Sequence, residues 1–151
     1  MGQSKSFGLP GLRIGWLAVP DRRVRDQIVG LTDYPTLCAS GPGQLLASVA
    51  LDAAGPLLAR SRAIIEDNLV RARAIDWLEW REPIAGPVAF ARLRRGGAAD
   101  FCAEAVRARG VMAVPSTVFD FGDAHIRLGL GRRGFAAAVA NLSSPPAPPR
   151  S

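Results

Sequence analysis

Lysine is nearly missing from this chain: 19 basic residues less the single Lys5 leave 18 arginines. Histidine and tyrosine also occur once each, at His125 and Tyr34, and cysteine only at Cys38 and Cys102. Neither cysteine has a second Cys or His at ligand spacing, which excludes a disulfide framework or zinc site as the organising feature, so the pair is expected as reduced thiols and no metal ligands are assigned. No apolar run approaches the roughly 18–20 residues a bilayer span needs, and the first residues lack the apolar stretch of a secretory signal. The expectation is a soluble, intracellular protein, cytoplasmic and without a membrane partner. A net charge of +6 would ordinarily point to a polyanion. The arginine pairs Arg22-Arg23, Arg94-Arg95 and Arg132-Arg133 carry no interleaved aromatics and match no helix-turn-helix or RNA-binding signature, so no nucleic-acid partner is expected.

What the chain does have is a length of 151 residues and 48% hydrophobic composition, enough for a folded core. Residues 12–19, LRIGWLAV, are apolar at nearly every position and stop at Pro20, the pattern of an interior strand. Asp21 is placed to cap a helix whose Val24, Ile28 and Leu31 recur at helical spacing. A turn-rich loop, TDYPTLCASGPG, leads to a helix from Gln44 to Ala54. Past Gly55-Pro56, a periodic apolar face from Leu57 through Ile64, Ile65, Leu69, Ala72 and Ile75 to Leu78 predicts one long helix to about Trp80. Then VAFARL predicts a strand, residues 98–109 a helix, VMAVP and HIRLGLG strands, and residues 133–142 a closing helix. Helices alternating with strands in a small antiparallel sheet indicate an α/β class with an α+β layer. The proline-rich end, SSPPAPPRS, reads as a disordered tail.

The string SKSFGLPGLRIG, residues 4–15, resembles the lysine motif of the class I/II pyridoxal-phosphate (PLP) aminotransferases of fold type I. That resemblance implies PLP as cofactor, Lys5 as the residue that forms the covalent link to it, and Arg13 and Ser4 beside Lys5 as cofactor-binding residues. The residue types suit those roles. A primary amine is needed to condense with an aldehyde, and once freed it can move a proton at the substrate α carbon. A guanidinium offers a phosphate two parallel charge-assisted hydrogen bonds. Gly8, Pro10 and Gly11 permit a tight turn between the two.

Further along, GVMAVPSTVFDFGDAHIRLGLG is similar to the family pattern that carries the arginine for the substrate α-carboxylate, which here falls on Arg127. The pattern's usual Pro-Gly is Pro115-Ser116 in this chain. His125, two residues before Arg127, shares its strand face and reads as a packing or supporting residue.

The resemblance runs from residue 4 to about 142 and covers only the last part of the family. It implies the C-terminal portion of a fold type I PLP-dependent transferase: one residual large-domain strand, a long bridging helix, and a small sheet covered by helices. The implied organisation is 1–54 as a remnant of the large cofactor-binding domain, 55–82 as the bridging helix, 83–142 as the small domain and 143–151 as the tail. The family's phosphate loop, stacking aromatic ring, hydroxyl-binding asparagine and nitrogen-binding aspartate are not found. The implied function is PLP-dependent transfer of an amino group from an amino acid to a 2-oxo acid, by a truncated or split enzyme with little activity alone. The implied partners are a second copy of the chain or a complementing large-domain chain. The alternative is a non-catalytic interaction module built on the small domain.

Overall fold

The computed structural model describes residues 2–32, 34–35 and 38–142. The expected tail at 143–151 lies outside them. The chain divides into two compact units, Met1–Ser61 and Arg62–Ser151.

The first unit is helical. It contains α1 (Gln3–Ser6), a 3₁₀ turn at Pro10–Leu12, α2 (Arg22–Thr32), α3 (Gly41–Asp52) and the start of α4 (Ala54–Arg73). Asp21 caps α2 as expected, its Oδ1 accepting from the backbone N–H groups of Arg23 at 2.8 Å and Val24 at 3.3 Å. Ser40 does the same for α3, accepting from Gly43 N–H at 3.2 Å, so this helix starts three residues before the expected Gln44. The break between α3 and α4 falls at Ala53, just ahead of Gly55-Pro56.

The strand expected over Leu12–Val19 does not form a ladder. Gly15 makes one isolated antiparallel bridge to Gly2, and Leu17 is 72% exposed. An apolar run becomes a strand only where neighbouring backbone supplies the other half of its hydrogen bonds, and here the Gly2 bridge and the Gln3 N–H bond to the Ile14 carbonyl do not extend into a ladder.

The second unit carries a four-stranded antiparallel sheet in the order β1 (Leu78–Glu79), β2 (Val88–Leu93), β4 (His125–Gly129), β3 (Val114–Pro115). Side chains alternate across it. Ala89, Ala91 and Leu93 of β2 and Ile126 and Leu128 of β4 face the core, where α5 (Ala98–Arg109) contributes Phe101, Cys102 and Ala105, and α6 (Phe135–Asn141) contributes Phe135. Trp77 closes one side, its ring 5.2 Å from that of Phe101.

The long helix stops at Arg73, short of Trp80. Ala74 N–H bonds to Arg71 and Ile75 N–H to Ala72, both at 3.2 Å, tightening the last turn, after which Leu78 and Glu79 pair with Leu93 and Arg92. Ile75 and Leu78 keep their helical spacing and are both buried, but they reach the core from a turn and a strand. Buried Asn68 anchors α4: its Nδ2 donates to the carbonyls of Leu130 at 2.7 Å and Arg132 at 2.8 Å.

The N-terminus of α5 is satisfied from far along the chain. Asp123 accepts from Ala99 N–H through Oδ1 at 2.7 Å and from Ala98 N–H through its own carbonyl at 2.9 Å. A Cβ at Gly97 would collide with that carboxylate.

Candidate functional site

Lys5 sits in the single turn of α1, exposed to solvent. The segment around it closes on itself. Gln3 N–H bonds to the Ile14 carbonyl at 3.3 Å, Leu9 N–H bonds to the Gln3 carbonyl at 3.2 Å, and Gly2 bridges Gly15. Beneath the turn, Phe7 is buried and Gln3 is fully buried, its Nε2 donating to the Ala47 carbonyl of α3 at 2.8 Å. The Gln3 Oε1 is buried with no hydrogen-bond partner. Helix α3 approaches closely at Gly43, where a Cβ would stand 3.1 Å from the Leu12 carbonyl oxygen. The lysine is therefore held by a backbone lock that the motif string alone does not reveal, because the locking residue, Gln3, precedes it.

The tight turn expected from the Gly-Leu-Pro-Gly segment is present. Gly8 has φ +69°, residues 10–12 form the 3₁₀ turn, and Arg13 ends it in the left-handed conformation at φ 55°. That conformation costs an arginine about 1 kcal/mol, and the Arg13 N–H bond to Pro10 at 3.4 Å partly offsets it. The Arg13 guanidinium is exposed and makes one long contact, 3.5 Å to the Pro10 carbonyl. Ser4 is half-buried.

Arg127 lies in the second unit on the outer face of the sheet, opposite Phe90 of β2 and Val114 of β3. Its guanidinium carbon is 5.7 Å from the centre of the Phe119 ring. His125 shares that face, as the strand period predicts, with its ring stacked on Phe90 at 5.1 Å and 3°. Phe121 meets both rings edge-on, at 5.5 Å to Phe90 and 5.2 Å to His125.

Ser116, the departure from Pro-Gly, makes the turn. Its hydroxyl donates to the Gly122 carbonyl at 2.8 Å and accepts from His125 N–H at 3.1 Å, and it is fully buried. The loop carrying Phe119 and Phe121 is thus cinched to β4. Phe90 could have been found from the alternation in VAFARL, which places it opposite the core face. The loop rings have no periodic signal.

Elsewhere, Cys38 is exposed and Cys102 buried. Burial, followed by the negative charge of Asp123, pushes the Cys102 thiol up to about 11. Among the described residues no helix is long and apolar enough to cross a membrane.

The helical unit thus carries an exposed lysine on a locked turn, and the small antiparallel sheet presents an arginine on its outer face. The chain matches the Aminotransferase class I and II family over residues 2–134 and belongs to that family. The family's cofactor is pyridoxal phosphate. It is similar to capreomycidine synthase of Streptomyces vinaceus, 32% identical over 93% of this chain and 39% of that protein. Among solved structures it is similar to a PLP-dependent aminotransferase from Streptococcus suis 89-1591, with 30% identity, a TM-score of 0.85, and coverage of 94% of this chain and 39% of that one. The PLP-dependent cyclase OrfR is also 30% identical, with a TM-score of 0.80 over 93% of this chain and 40% of its own. The chain thus spans about two fifths of the length of these relatives.

The donor set on the lysine turn fits two parts of the cofactor. Lys5 would offer a primary amine to the aldehyde and Arg13 a guanidinium to the phosphate, neither being committed to an ion pair among the described residues.

Proposed function

We propose that this chain forms the C-terminal part of a PLP-dependent enzyme that transfers an amino group from an amino acid to a 2-oxo acid. When bound, the cofactor supplies an electron sink for the pair left at the substrate α carbon. Lys5 Nζ would hold the cofactor covalently and, when free, would carry a proton to or from that carbon. Arg13, with the Ser4 hydroxyl, holds the phosphate. Arg127 grips the substrate carboxylate, and the Phe119 ring against its guanidinium limits the directions that fork can take. The partners of the pyridine ring come from residues outside this sequence, in a longer polypeptide or a complementing chain. The apolar residues left exposed on the first unit, among them Leu31, Leu45 and Val49, suit such a contact.

The observation that carries this reading is the chain's one lysine standing exposed on a locked turn that ends in Arg13. Incubation of the full chain with PLP, borohydride reduction and peptide mapping tests it. Label is expected on Lys5, and Arg13→Ala should raise the half-labelling concentration about tenfold, as ~1.5 kcal/mol for a charge-assisted contact predicts. Label confined to the α-amino group, indifferent to Arg13, would leave the non-catalytic interaction module as the better account.

A further inference from the structure

The ring cluster around Arg127 is not consumed by holding an arginine. Phe119 lies against the guanidinium and is still 44% exposed, with Phe121 58% and Phe90 36% exposed on the same sheet face. Exposed aromatic surface beside a cation is shaped for a ligand that brings a negative charge and an apolar body together. Arg127 and Phe90 are direct cross-strand partners, so a carboxylate on the one places the attached body over the other. Phe90 stacks flat on His125 at 3°, while Phe119 and Phe121 meet Phe90 at 80° and 68°. A further ring finds there the offset and edge-to-face arrangements that aromatic pairs prefer, which a saturated body cannot exploit. The Nδ1 of His125 is buried without a hydrogen-bond partner, and the ring's contact on this face is its stack on Phe90.

We infer that the outer face of the small sheet is a side-chain subsite that selects aromatic carboxylic acids, that is, aromatic amino acids or their 2-oxo acids. The inference rests on the carboxylate reading of Arg127. Ser116 supports the subsite by fixing the Phe119–Phe121 loop to His125.

His125 is the only histidine, so its ring protons report from the middle of the subsite without ambiguity. Acetate, 3-cyclohexylpropanoate and 3-phenylpropanoate, each titrated into the full chain, would be followed by those proton signals. The expected result is saturable binding of 3-phenylpropanoate about three- to tenfold tighter than 3-cyclohexylpropanoate, an advantage abolished in Phe121→Ala, and loss of all three responses in Arg127→Gln. Equal affinity for the two ring compounds, both lost in Arg127→Gln, would overturn the aromatic selection while leaving the carboxylate reading standing. Undiminished 3-phenylpropanoate binding in Arg127→Gln would overturn the carboxylate reading and with it this subsite. No response to any probe overturns both.

Discussion

Cys38 and Cys102 are the same chemical group in opposite surroundings, one in solvent and one against Phe101 and the sheet. Because the thiolate is the reactive form, Cys38 should react quickly with a disulfide reagent at mildly alkaline pH, and Cys102 only after denaturant is added. The same contrast sets a pH dependence. The folded chain keeps the Cys102 proton to about 11, whereas the unfolded chain releases it near the ordinary 9.0. Between those values the unfolded state binds fewer protons, so stability is complete below the window and falls as pH rises through it. Urea melts of the chain and of Cys102→Ala, compared across that range, check the sign: the fall should be shallower in the variant.

At the scale of elements, the turn between β3 and β4 shows how a departure from a family pattern can be absorbed. Ser116 occupies a backbone conformation open to any residue, and the positive φ values of this loop fall at Asp120 and Gly122. Its hydroxyl replaces a glycine's freedom with two hydrogen bonds. Restoring the family residue with Ser116→Gly should therefore destabilise the chain by about 1–2 kcal/mol, from two lost hydrogen bonds and added unfolded-state entropy. A lower urea midpoint, accompanied by a shift of the His125 ring signals, is the expected result. Elements whose partners are local were legible from sequence, as Asp21 and α2 show. The 12–19 run and the end of α4 were not. A strand depends on backbone from elsewhere, and residues 75–78 satisfy helical and strand patterns equally until Leu93 and Arg92 decide between them.

Across the whole molecule, apolar burial is unequally distributed. No residue of α2 is buried, and in α3 only Gly43, Ala47 and Ala50 are. The second unit holds a core that includes Leu78, Ile126 and Leu130, all at 1% exposure or less. Amide hydrogen exchange should therefore be faster throughout α2 and α3 than in β2 and β4, with the slowest amides at Ala91 and Ile126. The site was legible in proportion to how far its chemistry is written into contiguous residues. Lys5, Arg13 and Arg127 stand in recognisable strings; Ser116 and the loop rings lie inside the second string, but their hydrogen bonds and ring contacts, like those of Gln3, are tertiary and are not announced by spacing. The strand order carries one more consequence, for synthesis on the ribosome. β2 emerges long before its main neighbour β4, and Asn68 waits for carbonyls 62 and 64 residues downstream. The second unit cannot close its sheet until residue 129, nor satisfy Asn68 until residue 132, is out of the exit tunnel, so its folding is non-local and comparatively slow, and the uncovered edge of β2 is the segment a chaperone would first have to shield.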